Sequence, residues 1–118
     1  MIKIINANLA DGSMVDVEIQ NGLISKVSKA SGSKPGEVID ATGKMLLPGL
    51  VDLHTHLREP GREDAETVLS GSTSAVAGGY TAISSMANTN PVADTAGVVE
   101  QIYRLGKDAG LFCFCLFV

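Results

Sequence analysis

"VDLHTHLREPG", residues 51–61, continues the apolar run "KMLLPGL" and brings two histidines, an arginine and the acids Asp52 and Glu59 to the end of a strand-forming stretch. A half-buried strand sends residues i, i+2 and i+4 to one face. Asp52, His54 and His56 therefore share a side, and Val51, Leu53, Thr55 and Leu57 share the other. At about 3.3 Å of rise per residue, the Cα atoms of His54 and His56 lie roughly 6–7 Å apart, so both imidazole tips can lean onto one ion. A metal is the first ligand this pattern suggests.

Downstream of the turn "REPGRED", a helix is expected over about Ala65 to Ala77, with Ala65, Val68, Leu69, Ser72 and Val76 at helical spacing and Gly78-Gly79 at its end. "YTAISSM" reads as a second strand and "ANTNPVAD" as a loop. A second helix is expected over about Thr95 to Lys107, with Val98, Val99, Ile102 and Leu105 on one face and Asp94 or Thr95 as its cap. "GLFCFCLFV" reads as a third strand. Strand, helix, strand, helix, strand is the order of a parallel α/β sheet, in which ligands gather beyond the carboxyl ends of the strands. His54, His56 and Arg58 stand at one such end and "MANTNP" at the next, two polar clusters facing one mouth.

Upstream, the alternation is of period two. "MIKIINANLA" runs into Asp11-Gly12, and "MVDVEIQ" alternates Val15, Val17 and Ile19 with Asp16, Glu18 and Gln20. Asn21-Gly22 is a strong hairpin signal before "LISKVS". After the loop "KASGSKPGE" comes "VIDATGKMLLPGL". A small antiparallel β region over residues 1–49, too thin to bury much alone, is expected to precede an α/β region over residues 50–118.

The chain's 118 residues, 45% hydrophobic and 19% charged, belong with globular chains. A net charge of −4 without a Lys/Arg cluster argues against a nucleic-acid partner. No apolar run approaches the roughly 18–20 residues that span a bilayer, and the polar turn within "MIKIINANLADG" is unlike a signal peptide. Two cysteines do not make a disulfide framework, so a cytoplasmic location is the expectation.

"LLPGLVDLHTHLREPG" followed by "GGYTAISSMANTNPVAD" closely resembles the dihydroorotases of the amidohydrolase superfamily, above all the bacterial type with an amino-terminal β region. An isolated H-x-H is weak evidence, whereas H-x-H-x-R-E-P-G behind P-G-x-V-D, joined to M-x-N-T-x-P, is specific. The resemblance implies the opening part of a TIM (β/α)8 barrel of metal-dependent hydrolase type, behind a β region that belongs to a composite β-sandwich. It implies that His54 and His56 bind the more buried metal of a usually binuclear zinc centre, whose activated water attacks the ring amide. Arg58 and Asn88 are implied to hold the substrate carboxylate, Arg58 through a two-pronged contact that lysine could not copy. Ala87 departs from the proline that many relatives carry there.

The implied reaction is the reversible cyclisation of N-carbamoyl-L-aspartate to L-dihydroorotate in pyrimidine synthesis. Self-association, or association with another enzyme of that pathway, also follows from the resemblance. Two other readings stand beside it: a hydantoinase- or allantoinase-like cyclic amidase, against which Arg58 argues, and a non-catalytic homologue serving as an assembly partner.

Single residues carry blander readings too. Asp52 is as well explained by a structural role at the strand start as by orienting a histidine N–H. Glu59 and Glu63 read as turn or helix-start acids, and Gly78-Gly79 as a helix terminus. Thr89 serves equally as a loop-capping hydroxyl or a substrate contact, and Met86 reads as core. Cys113 and Cys115 read as buried thiols and not as zinc ligands.

A (β/α)8 barrel needs on the order of 250 residues. The family's bridging aspartate or carboxylated lysine, two further histidines and proton-shuttling aspartate are not assignable within this chain, so no catalytic residue is assigned here. The stretch alone is expected to be inactive and to bind zinc weakly. Relatives turn polar soon after "KDAG", whereas "LFCFCLFV" stays apolar. The expectation is a cut chain with altered last residues, as by a frame shift, or a truncated gene product, with an unpaired strand edge prone to aggregation.

Overall fold

The computed structural model describes residues 1–32 and 37–111, and the backbone of 113–117. The chain divides into two compact units, Met1–Pro48 and Gly49–Val118.

In the first unit, β1 (Ile2–Asn8), β2 (Met14–Gln20), β3 (Leu23–Lys29) and β4 (Glu37–Asp40) form one sheet in the order β3-β2-β1-β4. Asn21 and Gly22 adopt φ of 53° and 76°. Two successive positive φ values are what a type I′ turn needs, which is why Asn-Gly joins β2 to β3 so tightly. At the β1–β2 turn the Asp11 carboxylate accepts from the Ser13 N–H at 2.8 Å and from its hydroxyl at 2.7 Å.

The expected all-antiparallel arrangement is corrected at β4. It runs parallel to β1, with Ile2 beside Glu37 and Ile5 beside Asp40, so the sheet is mixed. Short turns dictate antiparallel neighbours, whereas the longer connection before β4 leaves its partner and direction to tertiary packing.

A second difference lies at Asp16, which alternation assigns to the polar face and which is nevertheless fully buried. β1 shifts register between Ile4 and Ala7, with Asn6 at φ 57°. The Asn6 N–H donates to Asp16 Oδ1 at 3.0 Å, while Ser31 donates its N–H at 3.0 Å and its hydroxyl at 2.8 Å to Oδ2. Lys3 Nζ stands 3.8 Å from the same carboxylate. A buried carboxylate is tolerated only when hydrogen bonded in this way. The donors from Asn6 and Ser31, with Lys3 adding its charge, hold its pKa below the ordinary value. On the apolar side, Ala7, Val15, Val17 and Ala41 form a small core. Leu23, Ile24 and Val27 remain exposed, as a thin sheet requires.

The second unit has the predicted order: β5 (Leu50–Thr55), α1 (Val68–Ala77), β6 (Tyr80–Met86), α2 (Ala96–Ala109) and β7 (Cys113–Phe117). The strands form a parallel sheet in the order β5-β6-β7. α1 begins at Val68 and not near Ala65, because Thr67 and Ser70 form a reciprocal capping box. The chain before it is already turning, with Ala65 N–H on Arg62 O at 2.9 Å.

The core joins Leu57, Val68 and Ile83, with Ala75, Tyr80 and Leu105 packed against it. Ile102 of α2 is fully buried, in keeping with its predicted apolar face. Leu69 and Val76 of α1 are exposed, so the helix buries a narrower stripe, Val68 and Ser72, than the spacing suggests. Val51 and Leu53 are exposed too. Among the described residues no helix is long and apolar enough to cross a membrane.

Candidate functional site

Parallel strands finish at the same edge of a sheet, and the register of β5 with β6 sets Thr55 beside Ser85. The residues immediately after each strand are therefore neighbours: His56 after β5, and Ala87 and Asn88 after β6. The His54 and His56 rings lie edge-on with centroids 5.1 Å apart and planes at 72°. His56 Nδ1 is 3.0 Å from Asn88 Oδ1. An open cavity of about 520 Å³ is lined by His54, His56, Met86, Ala87, Asn88 and Val92. Met86, read from sequence as core, is half-buried and forms one wall of this cavity.

Three of the four predicted site residues thus meet. Arg58, the fourth, follows the buried Leu57, takes a φ of 62° and is exposed; its carbonyl accepts from Arg62 N–H at 2.9 Å, while its guanidinium makes no hydrogen bond or ion pair to any described residue. It is not part of the cavity wall. An unpaired guanidinium is available to an anionic ligand in a way that a salt-bridged one is not.

The acids of this segment do structural work. Asp52 Oδ1 accepts from the His54 backbone N–H at 2.9 Å, so it shapes the strand and does not orient an imidazole. Glu59 Oε2 accepts from Val68 N–H at 2.7 Å, satisfying a free donor at the start of α1. Glu63 Oε1 accepts from Gly61 N–H at 2.8 Å, and this bond lowers its pKa.

The loops that carry the site are stitched together. Asn90 N–H donates to Pro60 O at 2.9 Å. Gly61 has φ 104°, and a Cβ there would collide with the Asn90 backbone carbonyl. Thr89, nearly buried, donates its hydroxyl to Pro91 O at 2.7 Å, which makes it a loop-capping group. Thr89 N–H and Ala93 N–H both reach Ala87 O, at 2.9 and 3.0 Å. Asn88 is held from both sides.

Two imidazoles with rings this close are donors suited to a divalent metal of zinc's kind, and a catalytic zinc site adds at least one more protein ligand. Among the described residues no His, Cys, Asp or Glu group of three or more converges. The reading of Cys113 and Cys115 as buried thiols concerns side chains outside the described residues. The His56–Asn88 contact was missed from sequence. Its only trace is that H-x-H and M-x-N both end adjacent parallel strands.

A family model described as Dihydro-orotase-like matches residues 43–109. The dihydroorotase of Streptomyces coelicolor is 57% identical over 104 residues, covering 88% of this chain and 24% of that protein. The dihydroorotase of Mycobacterium tuberculosis is 51% identical over 102 residues, 86% of this chain and 24% of that protein. The chain spans about a quarter of the length of the curated relatives it matches. Among solved structures, an L-hydantoinase from Arthrobacter aurescens superposes with a TM-score of 0.81 at 25% identity, over 98% of this chain and 27% of that one. A D-hydantoinase from Bacillus sp. AR9 gives 0.78 at 23% identity, over 98% and 26%, a likeness of fold.

Proposed function

Since the chain belongs to the dihydro-orotase-like family, we propose that the whole protein is a dihydroorotase that closes N-carbamoyl-L-aspartate to L-dihydroorotate and reopens it. In this reading residues 50–118 are the first strands and helices of a (β/α)8 barrel, and residues 1–49 are its amino-terminal β region. The observation that carries it is the meeting of His54, His56 and Asn88 at one mouth of a parallel sheet, with a free arginine two residues beyond His56.

His54 and His56 hold a divalent metal, zinc in the fullest form of the proposal. A metal held there would supply Lewis-acid polarisation of the amide carbonyl and a water acidic enough to serve as nucleophile at neutral pH. The rest is done by side chains. Arg58 grips the ligand carboxylate through two parallel N–H bonds, and the Asn88 carboxamide donates beside it. Together they fix the ring so that its amide carbon faces the imidazole pair.

The alternative of a cyclic amidase without a carboxylate on its ring is favoured by the hydantoinase folds alone. Such a ring would leave the Arg58 charge without a counter-ion. Ring opening of dihydroorotate, hydantoin and allantoin by the metal-loaded whole protein separates the two. Preference for dihydroorotate is expected, and equal or better turnover of hydantoin would refute the assignment.

A further inference from the structure

We infer that Asn88 is a positioning residue for His56: it fixes which ring nitrogen of that histidine faces the metal, so that one side chain serves both halves of the site. The inference rests on the metal reading proposed above.

A carboxamide oxygen carries lone pairs and no proton, so the 3.0 Å contact of Asn88 Oδ1 with His56 Nδ1 is a hydrogen bond only if Nδ1 carries the hydrogen. A neutral imidazole protonated at Nδ1 has its free lone pair on Nε2, at the far side of the ring. Asn88 therefore orients the ring and selects its metal-binding tautomer together. The ring nitrogens of His54 make no hydrogen bond to any described residue, since its contact with Asp52 runs through its backbone N–H. The two histidines are thus unequal, and His56 is the one set in place by a side chain.

Asn88 is fit for this because its own loop is fixed. Ala87 O takes two backbone N–H groups, from Thr89 and Ala93, and Asn90 N–H is tied to Pro60 O across the mouth. With Oδ1 committed to His56, the amide N–H groups of Asn88 remain for an acidic ligand. A ligand that pulls on Asn88 acts through it on His56. Metal retention and ligand binding should then depend on one residue by two separable routes.

Zinc affinity of the whole protein, measured by competition with a chelator, tests this with four forms: wild type, Asn88→Ala, Asn88→Asp and His56→Ala. Outer partners of metal ligands are worth about 10–100-fold in affinity, and a loss of that size is expected for Asn88→Ala. Asn88→Asp is nearly isosteric and keeps an acceptor for Nδ1–H. It should hold zinc close to wild type while raising KM for dihydroorotate, because its carboxylate repels that of the ligand. The inference is overturned if Asn88→Ala retains zinc as wild type does while His56→Ala loses it. Zinc affinity unmoved in His56→Ala as well would remove the metal reading itself, and the inference with it.

Discussion

Leu57 shows how one apolar residue can position two polar ones. It is buried against Val68 and Ile83, which pins the chain between the exposed His56 and Arg58. Its methyl fits because Gly71 of α1 has no side chain, where a Cβ would meet Leu57 Cδ2. Leu57→Ala should cost about 2–5 kcal/mol, the range for emptying a leucine site, read as a lower unfolding midpoint in denaturant. Arg58→Met should leave stability near wild type and lower kcat/KM for dihydroorotate about 10–100-fold, from a lost charge-assisted bond of about 1.5–3 kcal/mol. Unchanged kinetics in Arg58→Met would rule out its grip on the carboxylate. Asp16 makes a pH prediction. Its folded pKa lies below the unfolded value, so its contribution is complete above the unfolded pKa and fades as pH falls through the folded one. Thermal unfolding between pH 7 and about 3 should therefore show a loss on acidification that is smaller in an already weakened Asp16→Asn.

At the scale of elements, what the sequence disclosed was whatever local chemistry dictates. Asn21-Gly22 sets its turn through backbone conformations that few other residue pairs adopt, and the β-α-β-α-β order follows from alternating periods. β4 differs from its reading because its partner is chosen across a long connection, and the start of α1 because Ala65 fits the helical spacing while the Thr67–Ser70 capping box begins the helix at Val68. The site divides in the same way. His54 and His56 are legible as neighbours on one strand, whereas the bond from His56 to Asn88 joins residues that only strand pairing brings together. Gly61 belongs to this scale, since its φ of 104° and the Asn90 carbonyl leave no room for a side chain. Gly61→Ala should cost about 1–3 kcal/mol of backbone strain and part the two loops. Faster amide exchange at Asn90, whose N–H bonds to Pro60, is the readout; unchanged exchange would mean the loops are held elsewhere.

For the whole molecule, the 118 residues bring two imidazoles and one carboxamide to a shared mouth, in a family whose curated members are about four times as long. Two nitrogen donors hold zinc far less firmly than the three or four of a complete site. The stretch made alone should therefore release zinc to a chelator that leaves the whole protein loaded. The most direct measurement of the central claim is anomalous diffraction at the zinc edge from crystals of the metal-loaded whole protein. A peak within about 2.0–2.1 Å of a ring nitrogen on both His54 and His56 is the result predicted. A fully occupied zinc bound elsewhere, with those two rings turned from it, would contradict it.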